Sequence, residues 1–327
     1  MDLSDKKVFV TGGSGFIGTN LIELLTSKGV DVLNFDIIPP RNKAQNKFWV
    51  KGDLLDSEKL KSSVESFNPD YIVHSAARTD LNGSTIDDYR VNTVGVSNLI
   101  DSLQCSKSLK RILFASSRLV CKIGYQPKSD TDYLPTTAYG ESKVLGEKIV
   151  RDRAEDIPCP WMIFRPTSIW GPWFDVPYKD FFMMILNGRY VHPSGRKIRK
   201  SFGYIGNSIY MIDNFLFCDT NFIHEKTLYL TDYPELEVQD WANLIAKKSG
   251  NKPPREVPYF ILKLVAFCGD IARSLGWKKP PLTSFRLDNL LTEMLHDTKE
   301  VKEICGELPY DLDTGVEKTL EWINNEK

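Results

Sequence analysis

The chain has 327 residues, 42% apolar and 26% charged, the balance of a globular protein with room for one large α/β unit or two modest domains. A formal net charge of −1 excludes the basic excess of a general nucleic-acid binder, though not a local cationic pocket. The six cysteines form no CxxC pair and read as reduced thiols, and the four scattered histidines form no HExxH or Cys/His cluster, so no metal site is expected.

KVFVTG from Lys7 predicts a strand, and FIGTNLIELLTSKG a helix stopped at Gly29. VDVLNFD is a second strand, and FWVKGDLLD holds a short third. DSEKLKSSVESFN reads as a helix before Pro69, and YIVHSAA as strand four. DDYRVNTVGVSNLIDSLQCS reads as one long helix, RILFASS as strand five, TAYGESKVLGEKIVRDRAED as another helix, and CPWMIFRP as strand six. This alternation implies right-handed crossovers and a doubly wound, Rossmann-type parallel sheet covered on both faces. After Arg165 prolines and aromatics become frequent, and KTLYLTD, near 226–231, is expected to return one strand to the sheet. The domain reading is therefore a dinucleotide-binding unit over 1–165 and a smaller, discontinuous, mostly helical lobe over 166–327, with Pro-rich joints at 251–258 and 278–285. FILKLVAFCGDIARSLGW, from Phe260, is broken by Lys263, Asp270 and Arg273 and is too charged to span a bilayer. It reads as an amphipathic helix, packed on the protein or lying on a membrane surface.

The glycines after the first strand give G-x-G-x-x-G at Gly13, Gly15 and Gly18, and G-x-x-G-x-x-G at Gly12, Gly15 and Gly18. Between a strand and a helix, this is the setting in which unpaired helix N–H groups and a positive dipole end meet a diphosphate. Phe16 and Ile17 lie in that first turn and join the expected cofactor site. Asp36 ends strand two, where a carboxylate accepts from an adenosine ribose diol and repels a 2′-phosphate. That favours NAD; Arg41 nearby keeps NADP open. Asp53 either accepts from an adenine amino group, with Leu54 against the ring, or caps the next helix in competition with Asp56, Ser57 and Glu58.

Tyr139 and Lys143 are four apart in a predicted helix and so share a face. A phenol has a pKa near 10, and an adjacent ammonium together with an oxidised nicotinamide lowers it. Tyr139 then serves as acid/base for an alcohol and carbonyl pair, and Lys143 also reaches the nicotinamide ribose. Ser116 and Ser117 end strand five, where a hydroxyl holds the reacting oxygen against Tyr139.

With TGGSGFIG, Asp36, GDLLD, VHSAA, Asn92 in RVNTVG, SS, YGESK and FRPTSIWGP in this order, the chain resembles the extended short-chain dehydrogenase/reductases of the NAD-dependent epimerase/dehydratase family. The likeness spans nearly the whole chain and is strongest from Lys7 to Pro172. It implies NAD, cytoplasmic oxidoreduction of nucleotide sugars for polysaccharide biosynthesis, and a homodimer built on a four-helix bundle from about 90–105 and 138–155. It also implies that Tyr139 is the acid/base, Lys143 its partner and Ser117 the hydroxyl orienter. Ala76, Ala77, Arg165 and Pro166 line the cofactor or nucleotide site, and Asn92 joins the cofactor set.

Departures from the family pattern narrow the chemistry. Dehydratases carry an acidic pair where this chain has Arg118 and Leu119, so elimination is disfavoured. VYG is replaced by Val120, Cys121 and Lys122. An asparagine that contacts the diphosphate is Ser168 here. Arg199 and Lys200, in SGRKIRKSFGY, either supply a diphosphate contact or form a solvated loop. The leading expectation is a nucleotide-sugar 4-epimerase with no membrane span and no nucleic-acid partner. The alternatives are a 4-keto nucleotide-sugar reductase, a hydroxysteroid-type dehydrogenase with IWGPWF as either greasy pocket or core, and a non-catalytic dinucleotide sensor.

Overall fold

Alternate burial along the first strand sets the layers: Val8 and Val10 pack on one face of the sheet and Phe9 on the other. The computed structural model describes residues 5–175, 177–277 and 282–326. The Pro-rich joint expected at 278–285 lies partly outside them.

The first half runs β1 (Lys7–Thr11), α1 (Phe16–Ser27), β2 (Asp31–Asp36), β3 (Trp49–Lys51), α2 (Ser57–Phe67), β4 (Tyr71–His74), α3 (Val94–Ser102), β5 (Arg111–Ala115), α4 (Ala138–Asp152) and β6 (Trp161–Pro166). The second half continues with β7 (Ser168–Trp170), α5 (Tyr178–Leu186), β8 (Val191–Pro193), β9 (Arg199–Lys200), β10 (Phe202–Tyr204), α6 (Ile205–Phe217), β11 (Thr227–Leu230) and β12 (Leu236–Glu237). It ends with α7 (Val238–Lys248), β13 (Arg255–Val257), α8 (Tyr259–Ser274), α9 (Ser284–Leu291), α10 (Lys299–Cys305) and α11 (Leu312–Asn325).

The seven-stranded sheet has the order β11-β6-β5-β4-β1-β2-β3. All its pairs are parallel, and β11 returns to the edge beside β6 as expected. The chain first winds outward from β1 to β3 and then crosses to β4 on the other side of β1. That reversal opens a crevice at the carboxyl ends of β1 and β4, the place where doubly wound sheets hold ligands.

Two expectations change. The stretch 87–106 is not one helix: a 3-10 turn over Asp87–Asn92 precedes α3, with a break at Tyr89 and Thr93. The aromatic run after β6 is core, not a greasy pocket: Trp170 is buried among Phe182, Tyr204 and Trp241. The short strands β7 to β10, β12 and β13 went unread because two or three residues carry no alternation.

One apolar cluster joins Val8, Val73, Leu113 and Phe164 of the sheet to Trp170, Trp241, Val316 and Ile323. The C-terminal lobe therefore packs on the α1/α6 side of the sheet as a continuation of its core. A second cluster of Phe9, Leu60, Leu99, Ile112 and Trp161 fills the α2/α3/α4 side.

Candidate active site

The glycine loop is shaped by close approach. Gly12 has φ +73°, and a Cβ there would lie 2.5 Å from the Ala76 backbone. A Cβ on Gly18 would lie 2.4 Å from the Gly12 carbonyl, so the first turn of α1 rests directly on the loop. Gly15 is the N-cap of α1, without a side-chain cap and with no acidic residue in the first turn. Its missing Cβ would meet only the Gly12 carbonyl, at 3.2 Å, so that side of the loop is open. The N–H groups of Phe16, Ile17 and Gly18 thus stand at a positive helix end with no carboxylate to answer them, which fits a diphosphate.

Asp36 lies beside this turn. Its carboxylate accepts from Ser14 N at 3.0 Å and Ile38 N at 3.1 Å. Burial raises its pKa against the pull of those amides. Arg41 is held elsewhere, donating to the Trp173 carbonyl at 2.8 Å and pairing with Asp175 at 3.2 Å. Among the described residues Asp36 is therefore left without a neighbouring arginine free for a 2′-phosphate. Asp53 is exposed and accepts only from Leu55 N, because Asp56 caps α2 instead. Leu54 is buried and packs where a Cβ on Gly95 would touch it. Ala76 and Ala77 follow β4 at half-buried positions against the glycine loop, and Pro166 ends β6.

Asn92 is drawn into the scaffold. Its amide donates to the Arg78 carbonyl and to Ser142 Oγ, and its oxygen accepts from Arg78 N. With both donors used internally, it fixes the loop after β4 onto α4.

Ser117 lies close enough to Tyr139 to pull the phenol's pKa down, and Ser117 Oγ accepts from Leu119 N at 3.1 Å. Thr137 caps α4 just before Tyr139, accepting from Gly140 N, and this fixes where the phenol emerges. Burial pushes the Tyr139 phenol up to about 12, against the pull of Ser117 and of the Arg118 charge.

Lys143 differs from expectation. Its ammonium donates to the Ala115 carbonyl at 2.9 Å, and its charge is felt by His74 rather than by the phenol. Burial lowers it to about 8, against the attraction of Glu147. Strand-end carbonyl and carboxylate together draw it inward. The cation acting on Tyr139 is Arg118 instead.

The sequence reading missed Glu147, although its spacing from Lys143 is again four. Arg165 donates to both oxygens of Glu147, at 2.8 and 2.7 Å, with both side chains 1% exposed. Ser116 and Tyr133 donate to the same carboxylate. Burial works against the Arg165 charge, but Glu147 overcomes it and holds the guanidinium above its ordinary range. Arg165 was expected to line the nucleotide site; it is a core ion pair.

Arg199 and Lys200 also differ. Arg199 pairs with Glu235 at 2.8 Å and Glu293 at 3.0 Å, and Lys200 donates to the carbonyls of Asn289 and Thr292. Both pin the segment after α9, so neither charge is free for a diphosphate. Ser168 is buried, and both it and Arg118 pull down the pKa of the Tyr178 phenol, which burial raises. Arg118 itself lines a small pocket with Cys121, Gly124, Met294 and His296. Its guanidinium has no hydrogen-bond or ion-pair partner among the described residues. His296 stacks on Tyr229 at 4.0 Å, and both its ring nitrogens are buried without a partner. Arg118 stood out in the sequence as a basic residue in place of an acid, the signal that could have found it.

Residues 8–191 match the family model described as the NAD dependent epimerase/dehydratase family. The chain is 25% identical to the N-acetyl-alpha-D-glucosaminyl-diphospho-ditrans,octacis-undecaprenol 4-epimerase of Escherichia coli O157:H7, over 96% of this chain and 94% of that protein. It is also 25% identical to the decarboxylating sterol-4-alpha-carboxylate 3-dehydrogenase of Candida albicans, over the whole of both. Its fold superposes on the UDP-glucose 4-epimerase of Thermotoga maritima with a TM-score of 0.74, at 19% identity, covering 98% of this chain and 99% of that one.

Proposed function

The chain belongs to the NAD dependent epimerase/dehydratase family with NAD as its cofactor, and from that premise we propose that it is a sugar 4-epimerase acting on a diphosphate-activated sugar. The observation that carries this reading is that Ser117 and the unpaired Arg118 both act on the buried Tyr139 phenol, each drawing its pKa down. The full-length likeness to a 4-epimerase supports it.

In this reading the amides of Phe16, Ile17 and Gly18 hold the NAD diphosphate and Asp36 the adenosine ribose. NAD, when bound there, would supply the hydride acceptor and donor for the sugar carbon. Ser117 holds the reacting oxygen, and Tyr139 Oη takes the hydroxyl proton and later gives it back. Arg118 favours the phenolate during that exchange. Lys143 acts as a positioning residue: by gripping the Ala115 carbonyl it fixes the turn that carries Ser117. With Arg118 and Leu119 after Ser117, the acid and base of a dehydration are absent. In this reading residues 1–165 supply the cofactor site and the acid/base, and 166–327 close over the sugar, with β11 returning to the sheet beside β6.

The test is the identity of the small molecule that co-purifies, followed by NMR of C4 epimers across a panel of UDP-, dTDP-, GDP- and polyprenyl-diphosphate sugars. The reading expects bound NAD and epimer interconversion without net NADH. Stoichiometric NADH consumption by a 4-keto sugar would make it a reductase. Absence of both nicotinamide and epimers would overturn the reading. A sterol dehydrogenase is the second reading, favoured by the full-length Candida relative; turnover of a sterol alcohol in place of every sugar would select it.

Arg118→Met removes the cation that opposes burial of the Tyr139 phenol. The apparent pKa of the base then rises, the rising limb of the kcat–pH profile moves to higher pH, and kcat at neutral pH falls about tenfold. An unmoved limb would take Arg118 out of proton transfer. We also propose a homodimer through α3 and α4. Sedimentation equilibrium at micromolar concentration is expected to give twice the chain mass, and a monomer would rule the bundle out.

A further inference from the structure

We propose that the outer face of α8, continued by Leu275, Trp277 and Phe285, seats the protein on an anionic phospholipid bilayer, so that the sugar site meets a lipid-carried diphosphate substrate at the membrane surface. The substrate clause rests on the function proposed above; the surface clause does not.

Nine of the nineteen large apolar side chains exposed among the described residues fall between 260 and 285. They are ordered. Phe260, Leu264, Phe267, Ile271 and Leu275 recur at four-, three-, four- and four-residue steps, which places them on one helical stripe. Leu264 is 64% exposed and Leu275 82%. The opposite stripe, Leu262 and Ala266, is the one that packs, against Leu287 of α9. The helix thus buries a narrow side on the protein and turns its larger apolar side outward. An ordinary surface does not gather so much apolar area in one place.

Charge selects the occupant. From 259 to 277 the acidic residue is Asp270, and both its oxygens face Ser284 N, at 3.2 and 3.3 Å. Lys263 and Arg273 are exposed and in no ion pair among the described residues. Aromatics, leucines and free cations on one helix, without a free carboxylate, match the interface of an anionic membrane. No helix among the described residues is long and apolar enough to cross a bilayer, so the contact is peripheral.

The face also leads into the site. α9 runs into the segment that Lys200 holds through the carbonyls of Asn289 and Thr292. Two residues on, Met294, Leu295 and His296 line the cavity with Arg118. A bilayer against α8 and α9 therefore lies one short segment of chain from the pocket wall.

The experiment is co-sedimentation of the full chain with vesicles of phosphatidylcholine and phosphatidylglycerol, against pure phosphatidylcholine. We expect binding to the anionic vesicles, weakened by salt. The triple variant Phe260→Ser, Leu264→Glu, Phe267→Ser alters only exposed side chains, and should bind more than about tenfold less at the same lipid concentration. Lys263→Glu with Arg273→Glu should erase the preference for anionic lipid. Wild-type protein left in the supernatant, or a triple variant that sediments like wild type, would overturn the proposal. So would a triple variant that turns a dimer into a monomer without lipid, since a second copy would then be the occupant. Vesicle binding is read without turnover, so it stands or falls apart from the C4 reaction. If vesicles bind but only water-soluble sugars turn over, the lipid-substrate clause fails alone.

Discussion

Tyr139→Phe is expected to lower kcat by about 10²–10⁴-fold while NAD stays bound and KM changes little. The substitution removes one oxygen. The ring keeps its place beside Tyr89, 5.9 Å away between centroids, and the helix that carries it is still capped by Thr137. What is lost is the proton carrier, so the effect falls on the chemical step rather than on binding. Steady-state kinetics with co-purified cofactor quantified by absorbance checks this. A loss of less than tenfold would move the acid/base role to another group. A matching loss of NAD would mean that the ring's chief part is to hold the cofactor.

Glu147→Ala is expected to destabilise the fold by about 3–5 kcal/mol, because it leaves the Arg165 guanidinium buried without its counter-ion. The carboxylate receives Arg165 through two bonds and also serves Ser116 and Tyr133. These partners come from β6, from the end of β5 and from the loop before α4, so one side chain ties three segments around the base of the site. Tyr139, Lys143 and Glu147 recur every four residues on α4, and loss of the third loosens the face that carries the first. Urea unfolding measures the cost. Replacing both partners, Glu147→Met with Arg165→Met, removes the stranded charge and should be milder than Glu147→Ala alone. A double variant less stable than the single one would show that Arg165 is held chiefly by the Asp130 carbonyl and the Tyr229 hydroxyl, its other partners.

The sheet, its returning strand and the glycine crevice were legible because each is written locally. Alternation, helical spacing, and Gly12 at a left-handed φ are properties of short windows. Ser117 and Tyr139 were legible for the same reason: one ends a strand, and the other follows a Thr cap. The placement of charge was not legible, because the partners are remote. Arg199 is neutralised by Glu235 and Glu293, and Arg165 by Glu147, none of them neighbours in sequence. Lys143 was assigned to the phenol from its spacing, yet its direction is set by the Ala115 carbonyl on another element. The free cation beside the phenol, Arg118, was visible only as a departure from a pattern. The apolar helix from Phe260 was read correctly as amphipathic, but which side faces the protein depends on α9.

The central claim is that one enzyme-held hydrogen leaves C4 of the sugar and returns to it. A diphosphate-activated sugar carrying deuterium at C4, turned over by the holoenzyme without added NADH, tests this by NMR and mass spectrometry of the product. The account predicts a mixture of C4 epimers, both keeping deuterium at that carbon. Epimers that have exchanged it for solvent hydrogen, or a sugar recovered with its configuration untouched, would contradict it.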